Sequence, residues 1–242
     1  ILLLGHHVLV DAWSQKLLAE DLLHLYSEAC GHSIEPLPSL KTGWQDVVHA
    51  SHGIADIDLP WWKAKLDRGV APIHLPWQSP VDAPSSGGCG QQRLVMAPRL
   101  TASLQAFAKQ HDVTFPSLVL AAYQKTLFDR SGQEQVTVRV AQGRREVRLD
   151  DIERVVGSMA DSLPITTHIQ AQEPLLALAK RAHQGLQEAN AHGAVSSLAL
   201  AQLGDFRACG PAGLTPFSFS FPLLPGLDQI GELKITELRG TA

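Results

Sequence analysis

The chain has 242 residues, 45% of them hydrophobic, which is enough to bury a core in one large domain or in two lobes. Its 20 basic and 24 acidic residues give a net charge of -4 and are spread along the sequence, which argues against a nucleic-acid-binding surface. Three widely spaced cysteines, Cys30, Cys89 and Cys209, fit neither a disulfide framework nor a zinc motif. We therefore expect reduced thiols in a cytoplasmic protein, and because no apolar run approaches the roughly 20 residues of a membrane span, we do not expect a membrane-embedded one.

The beginning of the chain predicts a strand that leads directly into a helix. Residues 1–10 form an apolar run typical of a short buried strand, and residues 13–29 switch to helical spacing. The expected inward face of that helix carries Leu18, Leu22, Leu25 and Ala29. Asp11 lies just before the helix, where a carboxylate can accept hydrogen bonds from free backbone N–H groups.

The rest of the chain alternates helical and strand-like patterns, as an α/β or α+β domain does. The residues between 69 and 90 are rich in Pro, Gly and Ser and predict a surface loop. Helices are predicted at residues 44–52, 61–66, 101–110, 116–130 and 174–191, and strands at residues 92–96, 135–140, 163–169, 217–221 and 233–238.

Two adjacent histidines, His6 and His7, lie within the first apolar run, with Asp11 after them. Side chains of neighbouring strand residues point to opposite faces, so one histidine is expected to face a site and the other the interior. Histidine titrates near neutral pH and can therefore accept a proton from an attacking amine or hydroxyl. The spacing alone leaves a second interpretation open, in which both histidines are core residues that bond to backbone carbonyls.

The longer segment 6–14, His-His-Val-Leu-Val-Asp-Ala-Trp-Ser, resembles the HHxxxDG signature of condensation domains of nonribosomal peptide synthetases. The same signature marks a superfamily of acyltransferases related to chloramphenicol acetyltransferase. Further segments resemble the family's motifs in the family's order, so the resemblance covers almost the whole chain. They are residues 59–66 (YWKxxL), 75–76 (LPxDxP), 114–123 (the long core helix), 131–134 (TGQxD), 143–144 (Gly-Arg), 156–164 (GxFVNTLPL) and 214–221 (TPLFQVMFN).

The resemblance implies an α/β (α+β) fold of two chloramphenicol-acetyltransferase-like lobes. Residues 1–58 would hold the end of the N-terminal lobe and a linker, and residues 59–242 the C-terminal lobe, with the fold truncated at both ends. A tunnel between the lobes would be entered by two phosphopantetheine arms, which donor and acceptor peptidyl carrier proteins supply. Neighbouring synthetase domains are the other implied partners, and the domain itself is expected to bind neither a cofactor nor a metal.

By the same resemblance, His7 is the catalytic residue, placed to take a proton from the acceptor amine or to orient it. His6, Asp11, Ala12, Trp13 and Ser14 support the motif, with Asp11 in a structural role. The candidates for lining the tunnel are Arg144, Ser158 and Asp161.

Two departures from the family's pattern affect these expectations. Ala12 replaces the glycine of the signature, which would cost about 1 kcal/mol if the position needs a positive φ. Asp161 stands where the family has asparagine, which would alter the polarity of the tunnel.

Residues 145–151, in which Arg145 and Arg148 alternate with acidic residues, predict a solvated face linked by salt bridges.

The implied reaction is amide bond formation between a donor acyl or peptidyl thioester and an acceptor aminoacyl thioester. Epimerization domains share the signature but carry Ser-Trp-Arg after the aspartate, where this chain has Trp13-Ser14-Gln15, which argues against epimerization. Ester formation and a CoA-dependent acyl transfer stay open. A condensation-like domain that docks carrier proteins without catalysis is the alternative from a different functional class.

Overall fold

The computed structural model describes residues 3–51, 55–67, 73–76, 90–145, 148–203, 215–221, 229–230 and 233–234. Within them, a 3-10 turn lies at Ile152–Arg154 between the first two strands. The helices are α1 (Ala12–Ala29), α2 (Trp44–Ser51), α3 (Ala55–Leu66), α4 (Pro98–Gln110), α5 (Phe115–Ser131), α6 (Leu175–Ala191) and α7 (Ser197–Gln202). The strands are β1 (Gln135–Gln142), β2 (Asp161–His168), β3 (Ser218–Phe219), β4 (Gln229–Ile230) and β5 (Leu233–Lys234).

Every helix that the sequence predicts is present, with ends shifted by a few residues except at α3, which begins six residues early. The short helix α7, the 3-10 turn and β4 were not predicted. Most of the predicted loop at 69–90, and the end of the last predicted strand, lie outside the described residues.

Two predicted strands are wrong in the part of the chain that the structure describes. Residues 3–10 contain a turn at His7–Leu9, and residues 92–96 form no strand. The side chain of Leu94 is 91% exposed. A run of residues that favour strands becomes a strand only where a neighbouring strand offers backbone hydrogen-bond partners. A local sequence pattern does not reveal whether such a neighbour is present.

The chain divides into two compact units that interleave along the sequence. The first comprises residues 1–57, 141–161 and 220–242, and the second comprises residues 58–140 and 162–219. The division into lobes at residues 1–58 and 59–242 is a statement about the family's fold and stays a prediction. Residues 141–161 associate with the start of the chain because they share polar contacts with it, which are described with the candidate site.

The core of the second unit is a small sheet packed with helices. Its strand order is β2-β1-β3, and β1 pairs in parallel with β3, with Arg139 opposite Ser218. Helix α5 packs against α6. Alternate residues of β1 point to one face, and in this strand they are valines. The core includes Trp62, Leu120, Val136, Val138, Leu163, Ile165, Leu178 and Ala182, each almost without exposure.

In the first unit, α1 buries Leu17 and Ala19, whereas Leu18 and Leu25 are exposed. Ala29 is exposed as well, so the predicted inward face of this helix is wrong for Leu18, Leu25 and Ala29. The apolar spacing permits two neighbouring faces of the helix to be buried. Leu17 follows the buried Ser14 by three residues and therefore lies on the same face, so the buried contacts at the start of α1 favour the face that carries Leu17. Among the described residues, no helix is long and apolar enough to cross a membrane.

Helix α5 has a defined signal at each end. The Thr114 hydroxyl accepts a hydrogen bond from the Ser117 backbone N–H at 3.3 Å, and Pro116 occupies the first turn, both typical of a helix start. At the other end Gly132 adopts φ 71° and donates its N–H to the Phe128 carbonyl at 2.8 Å. This left-handed conformation is one that glycine adopts without a steric cost.

We expect Gly132→Ala to lower the free energy of unfolding by about 1 kcal/mol, because alanine resists the left-handed conformation. Open space surrounds the position, since a Cβ on Gly132 would meet no atom within 4 Å. Gly143→Ala is the matched control, because a Cβ there also meets nothing within 4 Å and the backbone is not left-handed. Urea denaturation of both variants tests this, and equal losses of stability would contradict it.

Candidate active site

The two adjacent histidines lie on a tight turn. The His6 carbonyl accepts hydrogen bonds from the backbone N–H groups of Leu9 at 2.8 Å and Val10 at 3.2 Å. The Nδ1 atom of His6 accepts a third from the Val8 N–H at 3.2 Å. His6 and His7 are both exposed, so the prediction that one of them faces the interior is wrong. A turn, unlike a strand, lets neighbouring side chains lie on the same side of the chain.

Asp11 anchors this turn to the rest of the unit. Its side chain is 2% exposed and caps α1 by accepting a hydrogen bond from the Ser14 N–H at 2.8 Å, as the sequence predicts. The other carboxylate oxygen accepts bonds from the N–H groups of Met159 and Ala160, both at 3.1 Å. The guanidinium of Arg145 lies 3.3 Å from the carboxylate. One buried carboxylate therefore joins the start of α1 to Arg145, Met159 and Ala160.

Arg145 is a residue whose role the sequence analysis missed. Its side chain is 11% exposed, and the prediction that it lies on a solvated face is wrong. It contacts Asp11, donates to the Ser14 hydroxyl at 3.2 Å, and donates to the carbonyls of Ile152 and Val155 at 2.9 and 2.7 Å. A planar guanidinium with five donors can serve several acceptors at once. The two carbonyls belong to the first residue of the 3-10 turn and to the residue that follows the turn, which a sequence pattern does not place beside Asp11.

The next two motif residues, Trp13 and Ser14, also bind the returning segment. The Trp13 indole N–H donates to the Glu153 carbonyl at 2.7 Å. The Ser14 hydroxyl is buried; it donates to the Gly157 carbonyl at 2.8 Å and accepts from the Gly157 N–H at 3.0 Å. Gly157 has no room for a side chain, because a Cβ there would lie 2.1 Å from Cζ3 of Trp44.

Two of the residues predicted to line a tunnel, Arg144 and Asp161, form an ion pair with 3.1 Å between Nη1 and Oδ2. Both side chains are about one-fifth exposed. Arg144 adopts φ 52°, a left-handed conformation that is uncommon for a residue with a side chain. The third predicted residue, Ser158, donates its hydroxyl to the His7 carbonyl at 2.8 Å.

Ala12, which replaces the glycine of the signature, is the first residue of α1. The non-glycine residues with positive φ in the described chain are Asp112, Arg144 and Asp151, so Ala12 is not among them. Alanine suits a helix start, and the replacement brings no backbone strain. Because the position does not have a positive φ, the destabilisation expected of alanine there does not arise.

A second polar cluster surrounds His192 in the other unit. Nδ1 of His192 lies 3.0 Å from the carboxylate of Asp58, and the ring stacks on Trp61 with 4.2 Å between centroids. The Trp62 indole N–H donates to the His192 carbonyl at 2.7 Å, and the Ala194 N–H donates to Asp58 at 3.1 Å. These contacts fasten the end of α6 to α3, so the cluster is structural.

A buried serine and a histidine also meet in the second unit. The Ser117 hydroxyl lies 3.1 Å from Nδ1 of His183 and 2.6 Å from the Thr114 hydroxyl. Ser117 is fully buried, so no substrate reaches it, and the pair ties α5 to α6.

Among the described residues, no group of three His, Cys, Asp or Glu side chains is arranged to hold a metal ion.

Electrostatics keep the Asp11 carboxylate ionised. Burial by itself raises the pKa of Asp11, but the hydrogen bonds from Ser14 and Met159 and the positive charge of Arg145 outweigh it. The net pKa is therefore below its ordinary value. A charged acceptor with several N–H donors and a cation makes stronger hydrogen bonds than a neutral one.

A sequence profile described as "Condensation domain" matches residues 1–209. The FR901469 synthetase of Dothideomycetidae sp. (strain 11243) is 30% identical over 77% of this chain, and the malpibaldin synthetase of Mortierella alpina is 24% identical over 79%. The chain spans only 1% and 4% of the lengths of these two proteins.

A solved structure of similar fold is the first condensation domain of the calcium-dependent antibiotic synthetase, in complex with a substrate analogue. It superimposes with a TM-score of 0.68 at 19% identity. The match covers 91% of this chain and 48% of that structure. The likeness supports the α/β fold that the sequence predicts, and the chain spans about half of the compared domain.

We expect Arg145→Ala to lower the free energy of unfolding by about 3 kcal/mol, because removing one partner leaves a buried charge without its cation. Lys41→Ala is the control: Lys41 pairs with Asp150 at 3.5 Å, and about three-quarters of each side chain is exposed. An exposed pair contributes at most about 1 kcal/mol. Urea denaturation compares the two variants, and an equal loss of stability in both would contradict the central role of Arg145.

The stability that Asp11 contributes should decrease as the pH is lowered. Because its folded pKa is depressed, the contribution is fully present above the unfolded value of about 3.9 and is lost as pH falls through the folded pKa. The difference in unfolding free energy between the wild type and Asp11→Asn should therefore shrink from pH 6 to pH 3. In Asp129→Asn, which removes an exposed helix pair, the difference should stay small throughout. A wild-type advantage over Asp11→Asn that does not shrink would refute the prediction.

Proposed function

Because the chain belongs to the condensation-domain family of nonribosomal peptide synthetases, we propose that it takes part in amide bond formation between two thioesters tethered to carrier proteins. The donor is an acyl or peptidyl thioester and the acceptor is an aminoacyl thioester. His7 is the catalytic residue of this proposal. Neighbouring synthetase domains and the phosphopantetheine arms of the carriers supply the substrates.

The observation that carries the proposal is the anchored turn that presents His7. Buried contacts of Asp11 hold the turn from one side, and the turn's own hydrogen bonds close it, while His7 stays exposed. An exposed imidazole on a fixed backbone is suited to accept a proton from a bound amine. The same residues lie within the segment that matches the family profile.

The chemistry needs little beyond orientation and proton transfer. The acceptor amine attacks the thioester carbonyl, a C–N bond forms, and the C–S bond breaks. The proton that the amine loses passes to His7 and then to the departing thiolate, so the histidine is regenerated. A thioester is already activated, and correct placement of amine and carbonyl supplies much of the rate.

The test uses the full-length protein with loaded donor and acceptor carriers, and intact-protein mass spectrometry detects the amide product. We expect His7→Ala to lower kcat by roughly 10²- to 10⁴-fold, the usual contribution of a general base. His49→Ala is the matched control, because His49 is an exposed histidine on α2 of the same unit. Its activity should equal that of the wild type.

The outcomes separate the alternatives. Product that persists in His7→Ala at the wild-type rate would overturn the role of His7. A lack of product from the wild type across several loaded pairs, with carrier binding retained, would overturn the catalytic proposal and favour a docking domain. Product formed only with a hydroxyl acceptor, or only from CoA thioesters, would assign ester formation or CoA-dependent acyl transfer instead.

A further inference from the structure

Among the described residues, the main chain of His7 makes one hydrogen bond that leaves its own turn. The Ser158 hydroxyl donates to the His7 carbonyl at 2.8 Å. The other hydrogen bonds of this turn, from Val8, Leu9 and Val10, all end on His6. In the part of the chain that the structure describes, Ser158 is therefore the residue that links the backbone of His7 to a distant segment.

The Ser158 hydroxyl is itself held in place from both sides. Before it, Gly157 exchanges two hydrogen bonds with the buried Ser14 hydroxyl. After it, the N–H groups of Met159 and Ala160 donate to Asp11. A donor whose neighbours are fixed this way loses little conformational entropy when it bonds, so its geometry is preorganised.

Anchoring the His7 carbonyl restricts the peptide between His7 and Val8. The direction of the Cα–Cβ bond follows from the orientation of the backbone on either side of Cα, so the anchor limits where the imidazole can point. The His7 side chain is exposed, and the described residues form no hydrogen bond with its ring. Control of the ring through the main chain is therefore the control that this structure offers.

We propose that Ser158 is a positioning residue, which orients the His7 imidazole by holding the His7 carbonyl, rather than a residue that lines a substrate tunnel. The catalytic consequence rests on the proposed function of His7, whereas the anchoring of the turn does not. Loss of the hydroxyl frees the carbonyl to bond with water, since His7 is exposed, so the fold should survive the change. The change instead lowers the fraction of molecules in which the imidazole points at the amine.

The experiment compares three variants of the full-length protein. Ser158→Ala removes the donor, Ser158→Thr keeps a hydroxyl at the position, and Ser103→Ala removes a serine hydroxyl that donates to the Arg99 carbonyl at 2.9 Å on α4. Two readouts are taken from each: kcat and KM for amide formation with loaded carriers, and amide hydrogen exchange of the peptide that spans residues 6–10. The unfolding midpoint of each variant establishes that it is folded.

We expect Ser158→Ala to lower kcat roughly 5- to 10-fold, the equivalent of one hydrogen bond, with KM within about twofold. Exchange at Val8, Leu9 and Val10 should accelerate, because the turn that these amides close is no longer anchored. Ser158→Thr should restore most of both, and Ser103→Ala should match the wild type. A main-chain anchor that acts in the transition state changes kcat, whereas a contact with the bound substrate changes KM.

Two results would overturn the proposal. One is unchanged exchange at residues 8–10 in Ser158→Ala. The other is a rise in KM at constant kcat, which would make Ser158 a substrate-contacting residue. If the wild type forms no product with any loaded pair, the proposed function fails, and exchange alone decides the anchor: acceleration in Ser158→Ala with rescue in Ser158→Thr supports it, and no acceleration overturns it.

Discussion

A single buried carboxylate organises the candidate site. Asp11 caps α1 and binds two consecutive backbone N–H groups and a guanidinium from residues 145–160. Removing a carboxylate from water is costly unless every lone pair finds a donor. The position of Asp11 therefore requires Arg145, Met159 and Ala160 to be in place, and their position requires Asp11. This mutual requirement explains why a segment so distant in sequence belongs to the same compact unit as the start of the chain.

Around this carboxylate, the residues that hold the site together are buried, whereas the histidine turn is exposed. Ser14, Gly157, Met159 and the carboxylate are buried and hold one another. The turn with His6 and His7 stands at the edge of that cluster and is exposed. A catalytic group needs access to its substrate and a fixed backbone at the same time. The arrangement meets both needs, because buried neighbours supply the rigidity and the exposed ring supplies the access.

The departures from the family's signature change less than their sequence suggests. Ala12 lies in a helical conformation and needs no glycine. Asp161 introduces a negative charge, but it forms an ion pair with Arg144 at 3.1 Å. The added charge is thus largely compensated within the unit. Neither change disturbs the contacts of Asp11, so the anchor of the motif is intact in this chain.

The sequence by itself determined the helices other than α7, the cap at Asp11 and the family, because periodicity, capping chemistry and an ordered series of motifs depend on residues that are close together in the sequence. Only the tertiary structure decided that residues 3–10 turn, that residues 92–96 remain unpaired, that Arg145 is buried and that Ser158 bonds to His7. The catalytic role of His7 remains a prediction. The physical reason for the division is distance along the chain: a helix forms from bonds between residues four apart, whereas a strand, a buried ion pair and a main-chain anchor depend on partners that arrive from elsewhere in the fold.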